Sequence, residues 1–129
     1  TLSLHDALPI YAEMEEEVGN IYELTKLMQE ITNIVKYYFK VSFDEDSVYF
    51  YRFSTHLKFF CYRLLHQREV VENDDEELYA VIKKKYLNAY RCVEKISLYL
   101  NENYDYQVSN EERLYLTIHI ARIVQTTEQ

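Results

Sequence analysis

A single glycine and a single proline, Gly19 and Pro9, occur in this chain of 129 residues, both within the first twenty. Tight hairpins and most reversals of a β-rich fold draw on glycine for backbone conformations that other residues resist. A chain without glycine after position 19 therefore has few ways to build strands and many to build long helices. The length suits one domain with one core. A 48% hydrophobic content, with 16% aromatic residues, supplies enough apolar surface to offset the entropy of ordering it. The expected fold class is all-α.

The formal net charge is −8. Phosphate contacts supply most non-specific nucleic-acid affinity, so an acidic chain is a poor binder of RNA or DNA by itself. The longest basic run, Lys83-Lys84-Lys85, reads as a solvated helix face. Cys61 and Cys92 fall inside periodic segments and read as reduced, buried thiols. No apolar stretch approaches the roughly 18 residues of a membrane span. The start of the chain has no basic residue and carries Asp6, unlike a signal peptide, which fits the cytoplasm.

Residues 1–10 have no usable helical period and read as foreign to the domain. The acidic run Glu13 to Glu17 then leads through Gly19-Asn20 into the first helix, making 1–19 leader and linker and 20–127 the domain. Asn20 with Glu23 provides a cap, followed by Ile21, Leu24, Leu27, Met28, Ile31, Ile34, Val35 and Tyr38 at helical spacing. Ser42 and Glu45 form a capping box for a second helix reaching about Gln67, with Phe50, Phe53, Leu57, Phe60, Cys61 and Leu64 on one side. A cap near Asp74 with Glu77 opens a short third helix carrying Leu78, Val81 and Ile82. Tyr86 to Tyr104 is a fourth, with Tyr90, Val93, Ile96 and Leu100 on its stripe. Ser109 and Glu112 box the start of a fifth, which carries Leu114, Leu116, Ile118, Ile120, Ala121, Ile123 and Val124. Five helices with four capping signals agree at two levels of local evidence.

Of four histidines, His5 belongs to the leader and His66 to a helix end, where the helix dipole accounts for it. His56 lies at the edge of the apolar side of the second helix, beside Arg52 and Arg63. His119 lies at a similar edge in the fifth, between Leu116/Ile123 and the polar group Glu112, Tyr115 and Arg122. A half-sheltered neutral imidazole is a nucleophile near neutral pH. Arginine forks nearby bind a phosphoryl group with short charge-assisted bonds. The commonest role of a histidine at an amphipathic boundary is nevertheless a polar edge residue with one hydrogen bond. Acid–base work and metal ligation are rarer, and no Cys-x-x-Cys or His-Glu-x-x-His pattern supports a metal. Cys61 and Cys92 lack a nucleophile signature, and one glycine leaves no phosphate loop. Periodicity stops at a helical bundle with two edge histidines.

The segment Arg52-Phe53-Ser54-Thr55-His56-Leu57-Lys58-Phe59-Phe60, with Leu114-Tyr115-Leu116-Thr117-Ile118-His119-Ile120-Ala121-Arg122, resembles the two histidine segments of PTS regulation domains. The closer likeness is to the second such domain of BglG/SacY/LicT-type transcription antiterminators. It extends over Asn20 to Lys40 and Lys84 to Ile96, in all about residues 12 to 125. The resemblance implies a compact five-helix bundle that forms a homodimer, with His56 and His119 as phosphate acceptors. It implies the phosphocarrier protein HPr as donor, no catalytic turnover and no cofactor. Arg52, Arg63 and Arg122 are candidate phosphate partners on helical geometry alone. RNA binding would belong to a small domain that this chain lacks, in a longer parent protein. Many regulation domains carry Asp before the first histidine; Thr55 stands there and offers a hydroxyl instead. Regulation domains also occur in DNA-binding activators. A passive dimerisation module with structural histidines and a metal-binding bundle are the remaining alternatives.

Overall fold

The computed structural model describes residues 4–66 and 75–127, with side chains from residue 19 onward. It contains five helices, α1 (Leu4–Phe39), α2 (Val48–Leu65), α3 (Glu76–Lys85), α4 (Leu87–Tyr104) and α5 (Asn110–Thr127), and no strand among the described residues. The expected all-α five-helix bundle is observed. Helix α5 packs against α2, α3 and α4, while α1 closes the bundle against α2 and α4.

The first helix starts earlier than its sequence signals. Its backbone passes through Gly19 and Asn20 without a break, so Asn20 is not a cap and the expected leader and linker are partly helical. One interior glycine costs only about 1 kcal/mol relative to alanine, and the flanking residues are good helix formers. Leu27, Ile31 and Val35 are fully buried, whereas Ile21, expected on the same stripe, is 63% exposed. Among the described side chains of α1, the bundle covers the stripe from half-buried Leu24 onward.

The second helix starts later than expected. Ser42 and Glu45 do not cap it; Ser47 does, its hydroxyl accepting from the Phe50 amide at 3.1 Å. Tertiary burial explains the delay. Phe43 is buried and packs against Phe50 and Phe53, with both ring centroids 5.9 Å away. The chain after α1 is therefore pinned to the core by Phe43, and a turn follows in which the Asp44 carboxylate accepts from the Asp46 amide. The helix ends at His66, whose Nδ1 lies 2.8 Å from the Tyr62 carbonyl, in keeping with its expected helix-end role.

Asp75 caps α3 through the Leu78 amide; Asp74 itself lies outside the described residues, as does Gln67. Of the expected apolar residues of α3, Ile82 alone lies on its packed face. Leu78 and Val81 are exposed, and the helix meets the bundle through half-buried Tyr79 and Ile82, with Tyr79 donating to the Tyr90 hydroxyl at 2.7 Å. Without glycine, two bends fall to ordinary residues in left-handed conformation, Lys40 after α1 and Asp105 after α4. In α4, Tyr90, Val93, Ile96 and Leu100 are buried as their spacing predicts.

The last helix opens on the expected capping box. Glu112 accepts from the Ser109 amide at 3.1 Å, and Ser109 accepts from the Glu112 amide at 3.1 Å. Glu112 is almost fully buried and also accepts from the Tyr106 hydroxyl at 2.7 Å. Cys61 and Cys92 are free and buried, as expected. Burial pushes both thiols up to about 12, which keeps them protonated and unreactive near neutral pH.

Candidate functional site: a stacked histidine pair

Buried residues on both flanks hold the two edge histidines. In α2, Phe53 and Leu57 enter the core and leave His56 half-buried beside them; in α5, Leu116, Ile120 and Ile123 do the same for His119. The two helices run antiparallel, because Tyr49 near the start of α2 shares a pocket with Thr126 near the end of α5, while Arg63 lies over Tyr115. At that register the two edges coincide, and the imidazoles stack with centroids 3.8 Å apart and planes inclined by 18°.

The pair forms one wall of a cavity of about 270 Å³, whose lining also includes Tyr49, Arg52, Arg122, Gln125 and Thr126. Arg52 and Arg122 are exposed there, one on each helix. Arg63 is not among the lining residues. It lies two turns along α2, roughly 10 Å from His56 at 1.5 Å per residue. Its guanidinium carbon sits 5.7 Å from the Tyr115 ring centroid. Its Nε is buried without a hydrogen-bond partner.

Tyr115 was visible in the sequence only as a polar neighbour of His119, one turn before it. The structure gives it contacts to both histidines. Its hydroxyl oxygen lies 2.9 Å from His56 Nδ1 and 3.2 Å from the His56 carbonyl oxygen. Its ring meets that of His119 edge-on at 4.6 Å. The i, i+4 spacing of Tyr115 and His119 announces a shared helix face; the bond to α2 depends on packing. Thr55, which precedes His56, donates its hydroxyl to the Tyr51 carbonyl at 2.8 Å, so the polar partner of His56 is Tyr115.

Burial pushes the His119 imidazole down to about 4, with His56 and Arg122 acting in the same direction. The ring is neutral near pH 7, as a nucleophile requires. An unfolded imidazole titrates near 6.5, so the fold disfavours a proton that the unfolded chain accepts. This contribution to stability is complete above about pH 6.5 and is lost as pH falls from there towards 4. The ring keeps partial contact with solvent, so the loss is on the order of 1 kcal/mol, well below a full conversion of the shift. Urea titrations at pH 7 and pH 4.5 check this: the stability difference between the parent chain and His119→Asn should shrink by that amount at the lower pH. A difference independent of pH would show that the fold does not hold His119 neutral.

Among the described residues, no group of three or more His, Cys, Asp or Glu side chains is placed to hold a metal ion, and no helix is long and apolar enough to cross a membrane.

An all-α bundle that brings two distant histidines into one arginine-flanked pocket defines a histidine-centred helical module. The chain belongs to the PRD family, whose model, PRD domain, matches residues 29–123. It is 48% identical over 115 residues to the transcription antiterminator LicT of Bacillus subtilis (strain 168), covering 89% of this chain and 41% of that protein. It is 42% identical over 114 residues to the beta-glucoside operon antiterminator of Dickeya chrysanthemi, covering 88% and 40%. It is 30% identical over 108 residues to the GlcA/glcB genes antiterminator of Staphylococcus carnosus (strain TM300), covering 81% and 37%. The chain thus spans about two fifths of the length of these relatives, all of which are antiterminators by name.

Proposed function

We propose that this chain is the phosphate-accepting regulatory module of a sugar-operon transcription antiterminator, with His56 and His119 as the acceptors and HPr as the donor. The observation that carries the proposal is the stack of two half-buried imidazoles at 3.8 Å in a pocket flanked by Arg52 and Arg122. Such a pocket offers ring nitrogens to an incoming phosphorus and guanidinium donors to its oxygens. A phosphoryl group adds about −1.5 to −2 charges at neutral pH by analogy with other phosphorylated side chains. Placed on a ring stacked against a second ring, that charge and bulk favour separation of the pair and repacking of the α2–α5 seam. The output is a change in the association of a homodimer.

The regulation domain comprises residues 20–127, with 1–19 outside it. The module has no turnover of its own and requires no cofactor. It acts in the cytoplasm, and contacts RNA only through another domain of a longer protein. The named relatives are antiterminators, which favours RNA over DNA as that protein's target.

The test is incubation of the chain with phosphoenolpyruvate, enzyme I and HPr, followed by intact mass measurement under non-acidic conditions. One or two phosphoryl masses should appear only with HPr and vanish in the His56→Ala/His119→Ala double variant. A folded chain that gains no mass would reduce the pair to structural histidines in a passive dimerisation module.

A further inference from the structure

We infer that Tyr115 is a positioning residue that holds His56 in the tautomer with the proton on Nδ1, so that Nε2 is the nitrogen that takes the phosphoryl group. The inference deepens the acceptor role proposed for His56 and rests on it for the identity of the reaction.

The Tyr115 hydroxyl has one proton and two neighbours on residue 56, the ring nitrogen Nδ1 at 2.9 Å and the backbone carbonyl oxygen at 3.2 Å. A carbonyl oxygen can only accept. When the phenol donates to it, the phenol oxygen turns a lone pair to Nδ1, and that contact becomes a bond only if Nδ1 carries hydrogen. Both contacts are then satisfied with one proton each. The reverse arrangement spends the phenol proton on Nδ1 and leaves the carbonyl contact without a hydrogen. It also puts the ring proton on Nε2, the nitrogen left for the side shared with Arg52 and Arg122, two side chains that can only donate. A lone pair on Nε2 matches those donors, and later a phosphoryl group does.

Tyr115 is well built for this task. Burial raises the pKa of its hydroxyl, with Arg63 opposing, so the phenol keeps its proton near pH 7. Its ring contacts both the Arg63 guanidinium and the His119 ring. These contacts fix the hydroxyl relative to α2 and give the remote arginine a role without direct contact to phosphate. Because the bond orienting the acceptor of α2 comes from α5, any separation of the two helices loosens it.

In the transfer step, the Nε2 lone pair forms the new N–P bond. The bond between phosphorus and the HPr side chain breaks, and its electron pair stays with HPr. No proton has to leave Nε2, because none is there. Nδ1 keeps its proton and donates it in a hydrogen bond to the Tyr115 oxygen, which stabilises the positive charge developing on the ring.

The test is two-bond nitrogen–proton NMR of the histidine rings in the full chain, before and after phosphorylation by HPr, with Tyr115→Phe alongside. The parent chain should show His56 protonated on Nδ1 and, after transfer, phosphorus on Nε2. Tyr115→Phe keeps the ring and its packing but should shift His56 towards the Nε2-protonated tautomer and slow its phosphorylation about tenfold, the scale of one lost orienting hydrogen bond. An Nε2-protonated His56 in the unmodified parent, phosphorus on Nδ1, or a tautomer unchanged by Tyr115→Phe would each overturn the inference. A parent chain that takes no phosphate defeats the acceptor reading instead; the tautomer of the unmodified ring still decides what Tyr115 does.

Discussion

Replacing Arg52 and Arg122 together by alanine is expected to slow phosphate uptake by about 100-fold without unfolding the chain. The two guanidinium groups flank the histidine pair from opposite helices and line the same cavity. In the proposed transfer to a ring nitrogen, the phosphoryl oxygens meet these two guanidinium donors. Each such charge-assisted contact contributes on the order of 1.5–3 kcal/mol, or about tenfold or more in rate. Both side chains are exposed, and exposed substitutions away from buried networks usually change stability by no more than about 0.5 kcal/mol. Initial rates of mass gain should be compared at saturating HPr, so that weaker docking of the donor is separated from slower transfer. Arg63→Ala is the internal control, since Arg63 lies over Tyr115 and outside the cavity. Its direct effect on transfer should be no more than about tenfold, the ceiling set by the Tyr115 bond it supports. An unimpaired double variant, or an Arg63→Ala defect as deep as that of the pair, would defeat the assignment of Arg52 and Arg122 as the phosphate partners.

Glu112→Ala is expected to destabilise the chain by about 3 kcal/mol, which for a domain of this size lowers the melting temperature by roughly 10 °C. Glu112 is 3% exposed, and its carboxylate accepts from the Ser109 amide and the Tyr106 hydroxyl. Alanine leaves an amide and a phenol without their acceptor and opens a void under the first turn of α5. Ser109→Ala removes only the other half of the box and should cost about 1 kcal/mol. Glu112→Gln retains one acceptor oxygen and should fall between the two. Urea unfolding of the three variants decides the order; a Glu112→Ala loss no larger than that of Ser109→Ala would mean that the buried carboxylate adds nothing beyond the cap. The result bears on function because Tyr115 and His119 follow Glu112 on α5 by one and two turns. Fraying of this helix start would move the residue that orients His56.

The capping boxes show how far local sequence reaches. Ser109 and Glu112 cap α5 as their spacing predicts, because α4 ends at Tyr104 and the short connection lets the box close undisturbed. Ser42 and Glu45 have the same pattern and fail, because Phe43 between them gains more by entering the core than the box returns. Asn20 fails for a different reason: the helix before it continues, and a cap residue within a helix interior has no free amides to satisfy. The Leu78 and Val81 stripe illustrates the same limit on a whole helix. Periodicity defines an apolar face, but the neighbouring helices decide which face is covered.

The sequence alone determined the helical class, the number of helices, the burial of both cysteines and the edge positions of His56 and His119. Each depends on residues within a few turns of one another: glycine content, apolar spacing of three and four, and the rotation of a side chain about its own helix axis. The resemblance carried by the two histidine segments supplied the family. Only the tertiary structure decided that the two histidines stack, that Arg52 and Arg122 share their pocket while Arg63 does not, and that Tyr115 bonds to His56. Those relations depend on the antiparallel register of α2 against α5. That register is set by how Phe53, Leu57, Leu116 and Ile120 fill one core, a joint property of surfaces far apart in the chain that no single helix contains.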